Sequence, residues 1–156
     1  MTWLLLFSGL LMALLSGVFL GFSDFIMRGL AQAPAGAGSA GMVGLNRTVY
    51  RSVFMILFMG FLPVSFGLAA WAVWQWNGMA TGLVATGALI YLVGVFVVTG
   101  VGNVPLNKQL DGLAKQGDAR AAFWPRYVDR WTALNHIRSA ASALAAALWL
   151  IAGQIV

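Results

Sequence analysis

Residues 52–107 read SVFMILFMGFLPVSFGLAAWAVWQWNGMATGLVATGALIYLVGVFVVTGVGNVPLN and contain no charged side chain. The hydrocarbon core of a bilayer is about 30 Å thick, so each helical crossing needs roughly 20 predominantly apolar residues. This stretch is long enough for two crossings, and the uncharged stretches 1–23 and 139–156 supply one crossing each. The sequence therefore predicts an all-α fold, a four-helix transmembrane bundle.

The segments between the spans differ in composition. Residues 31–44 are rich in Gly, Ala and Pro, which predicts a loop, with room for a short helical turn near Met42. Residues 105–130 form the longest polar segment and predict one or two amphipathic helices at the membrane interface between helices 3 and 4. We expect a single membrane domain over residues 1–156, with transmembrane helices at about residues 3–28, 48–75, 80–103 and 132–155.

The distribution of charge predicts the orientation. All nine Lys and Arg residues lie between residues 24 and 51 or between residues 108 and 138. Because cytoplasmic loops carry an excess of Lys and Arg, we expect both charged connections in the cytoplasm, both termini outside, and a bacterial inner membrane as the location. The same rule accounts for the net charge of +5, so no nucleic-acid partner is expected. The expected partners are membrane lipid and a hydrophobic small molecule.

The residue types argue against a metal centre. The chain contains one His, no Cys and four acidic residues, all of them Asp, which is a poor set of metal ligands. A haem would need His136 as an axial ligand, and nothing in the spacing requires one. We therefore expect no metal, whereas a cofactor bound through backbone and aromatic contacts stays open at this point.

Ionisable groups at the ends of spanning helices are costly and are therefore functional candidates. Asp24 and Arg28 are four residues apart at the end of helix 1 and can pair on one face, either as part of a site or as a boundary salt bridge. Arg51 enters the apolar run of helix 2, and Asn46 lies just before it. We assign Arg28, Arg51 and Asn46 structural or ion-pair roles.

Two carboxamides lie where helix 3 leaves the membrane. Asn103 and Asn107 are four residues apart and bracket Pro105, which frees a backbone carbonyl in the preceding turn. The side chains could satisfy such carbonyls, or they could hydrogen-bond a carbonyl or phenol of a ligand. Spacing alone leaves both roles open.

The densest group of polar and aromatic side chains lies at the start of helix 4. Trp131, Asn135 and Arg138 fall on one helical face, and His136 lies about 100° away. His136 is the only side chain of this group whose unperturbed pKa is near neutrality, so it is the natural candidate for a general base. A single His near a helix start is also common as a structural residue.

Three regions together resemble a known family. The chain is similar to the anthrone-oxygenase-like family of small membrane proteins, over about residues 10–152. The segments that carry the resemblance are GFSDFIMRGL at 21–30, MVGLNR at 42–47, and NVPLN at 103–107 followed by WTALNHIR at 131–138. The resemblance implies a four-helix membrane bundle and, for the characterised members, oxidation of polyketide anthrones to anthraquinones by O₂ without a recognised cofactor.

A mechanism of that class assigns a role to each candidate residue. His136 would be the general base, oriented by Asp24, and it would remove a proton from the activated methylene of the substrate. The groups that donate hydrogen bonds to the resulting oxyanion would be Asn103, Asn107, Asn135 and Arg138. The rings that stack against a flat substrate would be Trp124, Tyr127 and Trp131.

Two other functions fit the same sequence. A non-enzymatic membrane subunit could pack in a larger complex or homo-oligomer, or bind a lipid or quinone, because Gly, Ala and aromatic residues also suit helix packing. A small transporter fits less well, since its ion path usually leaves charge inside the spans. Convergence of the candidate polar residues on one cavity favours the oxidoreductase, and their dispersal favours the subunit.

Overall fold

The computed structural model describes residues 1–156 and contains helices and turns but no strands. Four helices are long and apolar enough to cross a membrane, so the predicted all-α transmembrane bundle is confirmed. A fifth, shorter helix lies between the first two spans. In chain order the helices are α1 (Thr2–Gln32), α2 (Ala37–Thr48), α3 (Val53–Trp74), α4 (Met79–Gly112) and α5 (Gly117–Ile155).

Helix α2 lies in the segment for which the composition predicts a loop. The segment forms a helix because it has an apolar face to bury: Met42 and Val43 are 1% and 6% exposed and pack in a cluster with Met27 and Tyr127. Helix formation of this kind is driven by tertiary packing, which outweighs the weak helix propensity of glycine. Gly36, with φ of 79°, makes the turn that begins the helix.

The second span begins later than residue 48. A 3₁₀ turn covers Val49–Arg51 and ends the α2 segment. Ser52 then has an extended backbone, and its hydroxyl accepts a hydrogen bond from the amide of Met55 at 3.3 Å. Because this is the usual arrangement of an N-cap, a new helix begins at Val53.

The polar segment between the third and fourth spans is formed by the extended ends of α4 and α5. Helix α4 continues past Asn103 to Gly112, and α5 begins at Gly117 and continues without interruption to Ile155. Helix α4 is π-helical over Tyr91–Val97 and Thr99–Asn103, and α1 is π-helical over Phe22–Ile26. Such wider turns occur often at functional sites because they change the direction of side chains.

The core divides into two clusters along the bundle. The larger cluster fills the middle around Tyr91 and Trp149, and the indole N–H of Trp149 donates to the carbonyl of Val84 at 3.2 Å. The smaller cluster lies at the charged end, where α2 covers the ends of α1, α4 and α5. At the opposite end, the hydroxyl of Thr2 donates to the carbonyl of Val156 at 3.2 Å, so both termini lie together.

Candidate functional site

A cavity of about 500 Å³ lies between the two core clusters, towards the charged end of the bundle. All five helices and the segment that joins α2 to α3 contribute to its walls. The lining is mostly apolar, and its aromatic members are Phe19, Phe22, Tyr50, Phe54, Phe58, Phe96 and Trp131. Cavities of this size and character are typical of sites for small organic ligands.

Three of the phenylalanine rings in the wall stack on one another. The ring of Phe58 is nearly parallel to that of Phe54, at 11° with centroids 6.2 Å apart, and to that of Phe96, at 20° and 5.7 Å. The cavity also reaches the outer surface of the bundle, because Val18, Met59 and other apolar lining residues are exposed. The structure thus combines an apolar wall rich in stacked aromatic rings with an opening among exposed apolar side chains of the bundle.

The cavity brings together five of the residues predicted from sequence. They come from α2, α4 and α5 and are Asn46, Asn107, Trp131, Asn135 and Arg138. Three more predicted residues, Asn103, Trp124 and Tyr127, lie behind this wall and contact its members. Asp24, Arg28, Arg51 and His136 are not in the cavity.

Arg138 places a buried guanidinium in the apolar wall. The residue is 5% exposed, and its guanidinium lies between the rings of Phe19 and Trp131, with its carbon 4.6 Å and 5.0 Å from their centroids. Nη2 donates to Oδ1 of Asn135 at 2.7 Å, Nη1 donates to the hydroxyl of Thr99 at 3.4 Å, and Nε has no hydrogen-bond partner. No carboxylate of the chain pairs with this cation.

Asn135 orients Arg138 and does not present its own amide to the cavity. Its Nδ2 donates to the carbonyl of Phe19 and to the hydroxyl of Ser23, both at 2.7 Å. Its Oδ1 accepts from Arg138. Both amide hydrogens therefore have partners within the protein, and in this arrangement neither is free to donate to a ligand.

Asn107 is the centre of a second hydrogen-bond network. Its Oδ1 accepts from the hydroxyl of Tyr127 at 2.8 Å and from the indole N–H of Trp131 at 2.9 Å. The hydroxyl of Tyr127 in turn accepts from Nδ2 of Asn46 at 3.3 Å. The network connects α2, α4 and α5, and it leaves Nδ2 of Asn107 without a partner in the protein. Asn107 therefore has both amide hydrogens available at the cavity wall, and Asn46 has one.

Asn103 and Trp124 support this wall from behind. Nδ2 of Asn103 donates to the backbone carbonyl of Trp131 at 3.2 Å, which ties α4 to α5. Trp124 stacks on Tyr127 at 15°, and Tyr127 stacks on Trp131 at 24°. The three aromatic rings predicted to stack on a ligand thus stack on one another, and only Trp131 reaches the cavity.

The remaining charged candidates lie on the surface. Asp24 and Arg28 form an ion pair of 3.1 Å, with both side chains more than half exposed. Arg51 is exposed and forms no ion pair, whereas Arg47 pairs with Asp111 at 2.8 Å. Exposed pairs of this kind contribute little to stability because water screens them. The ion-pair role predicted for Arg51 therefore belongs to Arg47, and Asn46 belongs to the cavity wall.

His136 lies on a different face of α5 from the cavity. It is exposed and borders a shallow groove between α1 and α5, together with Ser23 and Ser139. No hydrogen bond or ion pair joins it to Asp24. The reason is geometric: the helical turn that buries Asn135 and Arg138 directs the residue between them outward. The structure does not bring this imidazole, or any carboxylate, into the cavity.

Several lining residues gave no signal in the sequence. The phenylalanines of the wall belong to uniformly apolar runs in which lipid-facing and cavity-facing positions look alike. Thr99 is a polar residue in such a run, and it accepts from Arg138 while donating to the carbonyl of Val95 at 2.7 Å. Its position one helical turn before Asn103 is the one signal that could have indicated it. No group of three or more His or acidic residues lies close enough to hold a metal ion.

Comparison with known proteins supports the resemblance seen in the sequence. A family model described as anthrone oxygenase matches residues 47–148. The match covers more than half of the chain and includes α3, α4 and most of α5, whereas the segment around Asp24 lies outside it. No curated protein and no solved structure matches the chain.

Proposed function

This chain belongs to the anthrone oxygenase family, and we propose that it is a membrane-embedded oxidoreductase that oxidises a flat, hydrophobic aromatic substrate with O₂. The observation that carries the proposal is the apolar cavity of about 500 Å³, which has a single buried guanidinium in its wall. Four of the five predicted residues that line it, all except Asn46, lie within the matched range 47–148.

The shape and position of the cavity suit a fused-ring substrate. Phe54, Phe58 and Phe96 stack on one another in the wall, and aromatic groups favour offset parallel packing, so a fused ring can join such a stack. A hydrophobic polyketide partitions into the bilayer, so an opening beside Val18 and Met59 would admit it from the lipid. The amide of Asn107 offers a hydrogen-bond donor to a carbonyl or hydroxyl of the ring system.

The proposed reaction needs no external electron donor. The methylene of an anthrone loses one proton, and the negative charge moves onto the oxygen of the opposite carbonyl. The carbon then bonds to O₂ and forms a peroxide. The second methylene C–H bond and the O–O bond break, one oxygen atom becomes the new carbonyl, and the other leaves as water. One molecule each of anthrone and O₂ therefore gives one molecule each of anthraquinone and water.

Within this reaction Arg138 would stabilise the oxyanion. A preorganised cation in a largely apolar site lowers the energy of a developing negative charge more than water does. Asn107 would supply a neutral donor, and Asn135 would hold the guanidinium in place. Because no carboxylate or imidazole lines the cavity, we propose that the proton passes to solvent and that ionisation is driven by stabilisation of the anion.

The test is oxygen uptake by the full-length protein in detergent micelles supplied with an anthrone. We expect consumption of O₂ and anthrone in a one-to-one ratio, formation of the anthraquinone, and no hydrogen peroxide. Protein-free micelles provide the control for spontaneous oxidation. A rate equal to that control would contradict the oxidoreductase and favour a membrane subunit that binds without turnover.

The variant His136→Ala distinguishes this proposal from the role of general base that the sequence suggested for His136. A general base contributes about 10²- to 10⁴-fold, so the variant should be almost inactive if His136 removes the proton. Since the imidazole lies outside the cavity, we expect oxygen uptake within about twofold of the wild type, because an exposed side chain away from the site has little effect. A hundredfold loss in a correctly folded variant would restore His136 as the base.

A further inference from the structure

We infer that the cavity binds an aromatic ligand as its oxyanion, a phenolate or enolate, with the negative oxygen on the guanidinium of Arg138. The inference rests on the proposed function for the fused-ring class of ligand, but the charge of the bound form follows from the structure alone. Arg138 lines the cavity, is 5% exposed, and has a donor, Nε, without any partner.

The chain provides no negative charge for this cation. Asp24 pairs with Arg28 and Asp111 pairs with Arg47, both on the surface. Asp118 and Asp129, the other two acidic side chains, are exposed and form no salt bridge. The carboxylate of Val156 lies at the opposite end of the bundle, beside Thr2. Arg138 is thus a buried cation without a counter-ion.

Such a cation is strongly unfavourable unless something compensates it. The rings of Phe19 and Trp131 compensate in part, because their faces attract a cation. The Oδ1 of Asn135 and the hydroxyl of Thr99 accept from Nη2 and Nη1. These contacts fix the position of the guanidinium but leave its charge in place. An anionic ligand in the cavity would neutralise the positive charge of Arg138, whereas the same ligand in its neutral form would not.

The lining indicates which kind of anion fits. A guanidinium recognises carboxylates, phosphates and phenolates, but six phenylalanine and tryptophan rings line this cavity and three of them are nearly parallel. Aromatic side chains can stack on a fused ring system, whereas an alkyl chain offers no ring for stacking. The favoured ligand is therefore a planar aromatic oxyanion and not a fatty acid.

The test uses a ligand that the protein cannot oxidise. A 2-hydroxyanthraquinone has no methylene to lose, and its phenolate absorbs at longer wavelength than the neutral phenol. We would titrate its absorbance against pH in micelles with and without the full-length protein. Because a nearby cation favours the charged form of an acid, we expect the pKa of the bound phenol to fall by at least about one unit, a tenfold preference for the anion.

Variants of Arg138 distinguish the effect of its positive charge from an effect on the shape of the cavity. Arg138→Met should abolish the shift, and Arg138→Lys should keep most of it. Arg130→Gln, which removes an exposed cation from the same helix, should not change it. The methyl ether of the probe cannot ionise, so equal binding of the ether by wild type and Arg138→Met would show that the cavity remains intact. Equal pKa values of the bound phenol in wild type and Arg138→Met would overturn the inference.

Two further arms complete the test. If Arg138→Met does not bind the ether, Asn135→Asp takes its place in the test, because it places a carboxylate beside Nη2 of Arg138 and supplies the missing counter-ion. Asn135→Asp should also abolish the lowering of the pKa of the bound phenol. A lowered pKa in this variant would overturn the inference. Displacement of the probe by decanoate at equal concentration would overturn the aromatic specificity. The pKa of the bound probe can be measured without turnover. A lowered pKa together with no oxygen uptake would therefore support the anion site and contradict the proposed oxidoreductase activity.

Discussion

Replacing Arg138 by Met should lower the turnover number for anthrone oxidation by roughly 10²- to 10³-fold. This is the loss found when one preorganised donor to an oxyanion is removed, equivalent to about 2.7–4 kcal/mol of transition-state stabilisation. Arg138 is the one cation that lines the cavity, and its rotamer is fixed by Asn135 and by the rings on either side. Its removal takes away the only positive charge near the carbonyl that becomes negative.

The loss should fall on kcat more than on KM. The substrate enters as a neutral anthrone, so the cation gains its full interaction only when the proton has left. Steady-state oxygen uptake at several anthrone concentrations measures both constants. Arg130→Gln is the matched control, because it removes an Arg from the same helix at an exposed position. An Arg138→Met variant that turns over at the wild-type rate would show that the reaction does not depend on this charge.

The sequence predicted that Arg138 belongs to the site, because the periodicity of a helix is the same in water and in a membrane. Trp131, Asn135 and Arg138 share a face by spacing alone, and all three are buried, at 5%, 0% and 5% exposure. The same spacing placed His136 about 100° away. Its chemistry made it the more attractive candidate for a base, yet an exposed position on α5 removes it from the cavity. Here the geometric argument was more informative than the residue type.

The apolar walls could not be predicted in the same way. In a soluble helix, polar residues mark the outer face, but in a membrane both lipid and core are apolar. Phe58 is 6% exposed and faces the cavity, and Ile56 in the same run is 72% exposed. Their side chains are equally hydrophobic, so no periodicity distinguishes them. The position of a cavity in a uniformly apolar bundle is set by the packing of whole helices.

Helix α2 illustrates a third case, in which composition underestimated the extent of a helix: a short turn near Met42 was allowed, and the helix covers Ala37–Thr48. Gly and Ala are frequent between residues 31 and 44, and a loop was the natural prediction. In the structure small residues allow close contact: Gly38 lies against the end of α1, and this contact lets Met42 and Asn46 reach the core and the cavity wall. Glycine in this helix serves packing, a role that composition cannot distinguish from flexibility.

Gly38→Ala should therefore destabilise the folded protein strongly. A Cβ at this position would lie 1.8 Å from the carbonyl oxygen of Leu30 and 3.3 Å from the side chain of Trp124. The first contact is with backbone, so no side-chain rotation relieves it and α2 must move away from α1. Overpacking typically costs about 1–3 kcal/mol, and a clash with backbone belongs at the upper end of that range.

The matched control is Gly44→Ala in the same helix. A Cβ at Gly44 meets no atom within 4 Å, and alanine is the better helix former by up to about 1 kcal/mol. In detergent micelles, Gly38→Ala should therefore have a lower melting temperature than the wild type. Gly44→Ala should have the same melting temperature as the wild type or a higher one. Equal melting temperatures for Gly38→Ala and the wild type would show that α2 does not pack on α1 as described.

The same variant also tests whether α2 helps to build the site. Asn46 reaches Tyr127 only because α2 is seated against the ends of α1 and α5, and Tyr127 in turn donates to Asn107 at the cavity wall. Displacement of α2 by Gly38→Ala should loosen that network and weaken binding of the neutral methyl ether probe, while Gly44→Ala should bind it normally. Weaker binding in Gly38→Ala at a temperature where it remains folded would establish that the position of the short helix matters for the cavity wall. Unchanged binding would show that α1, α3, α4 and α5 form the site without it.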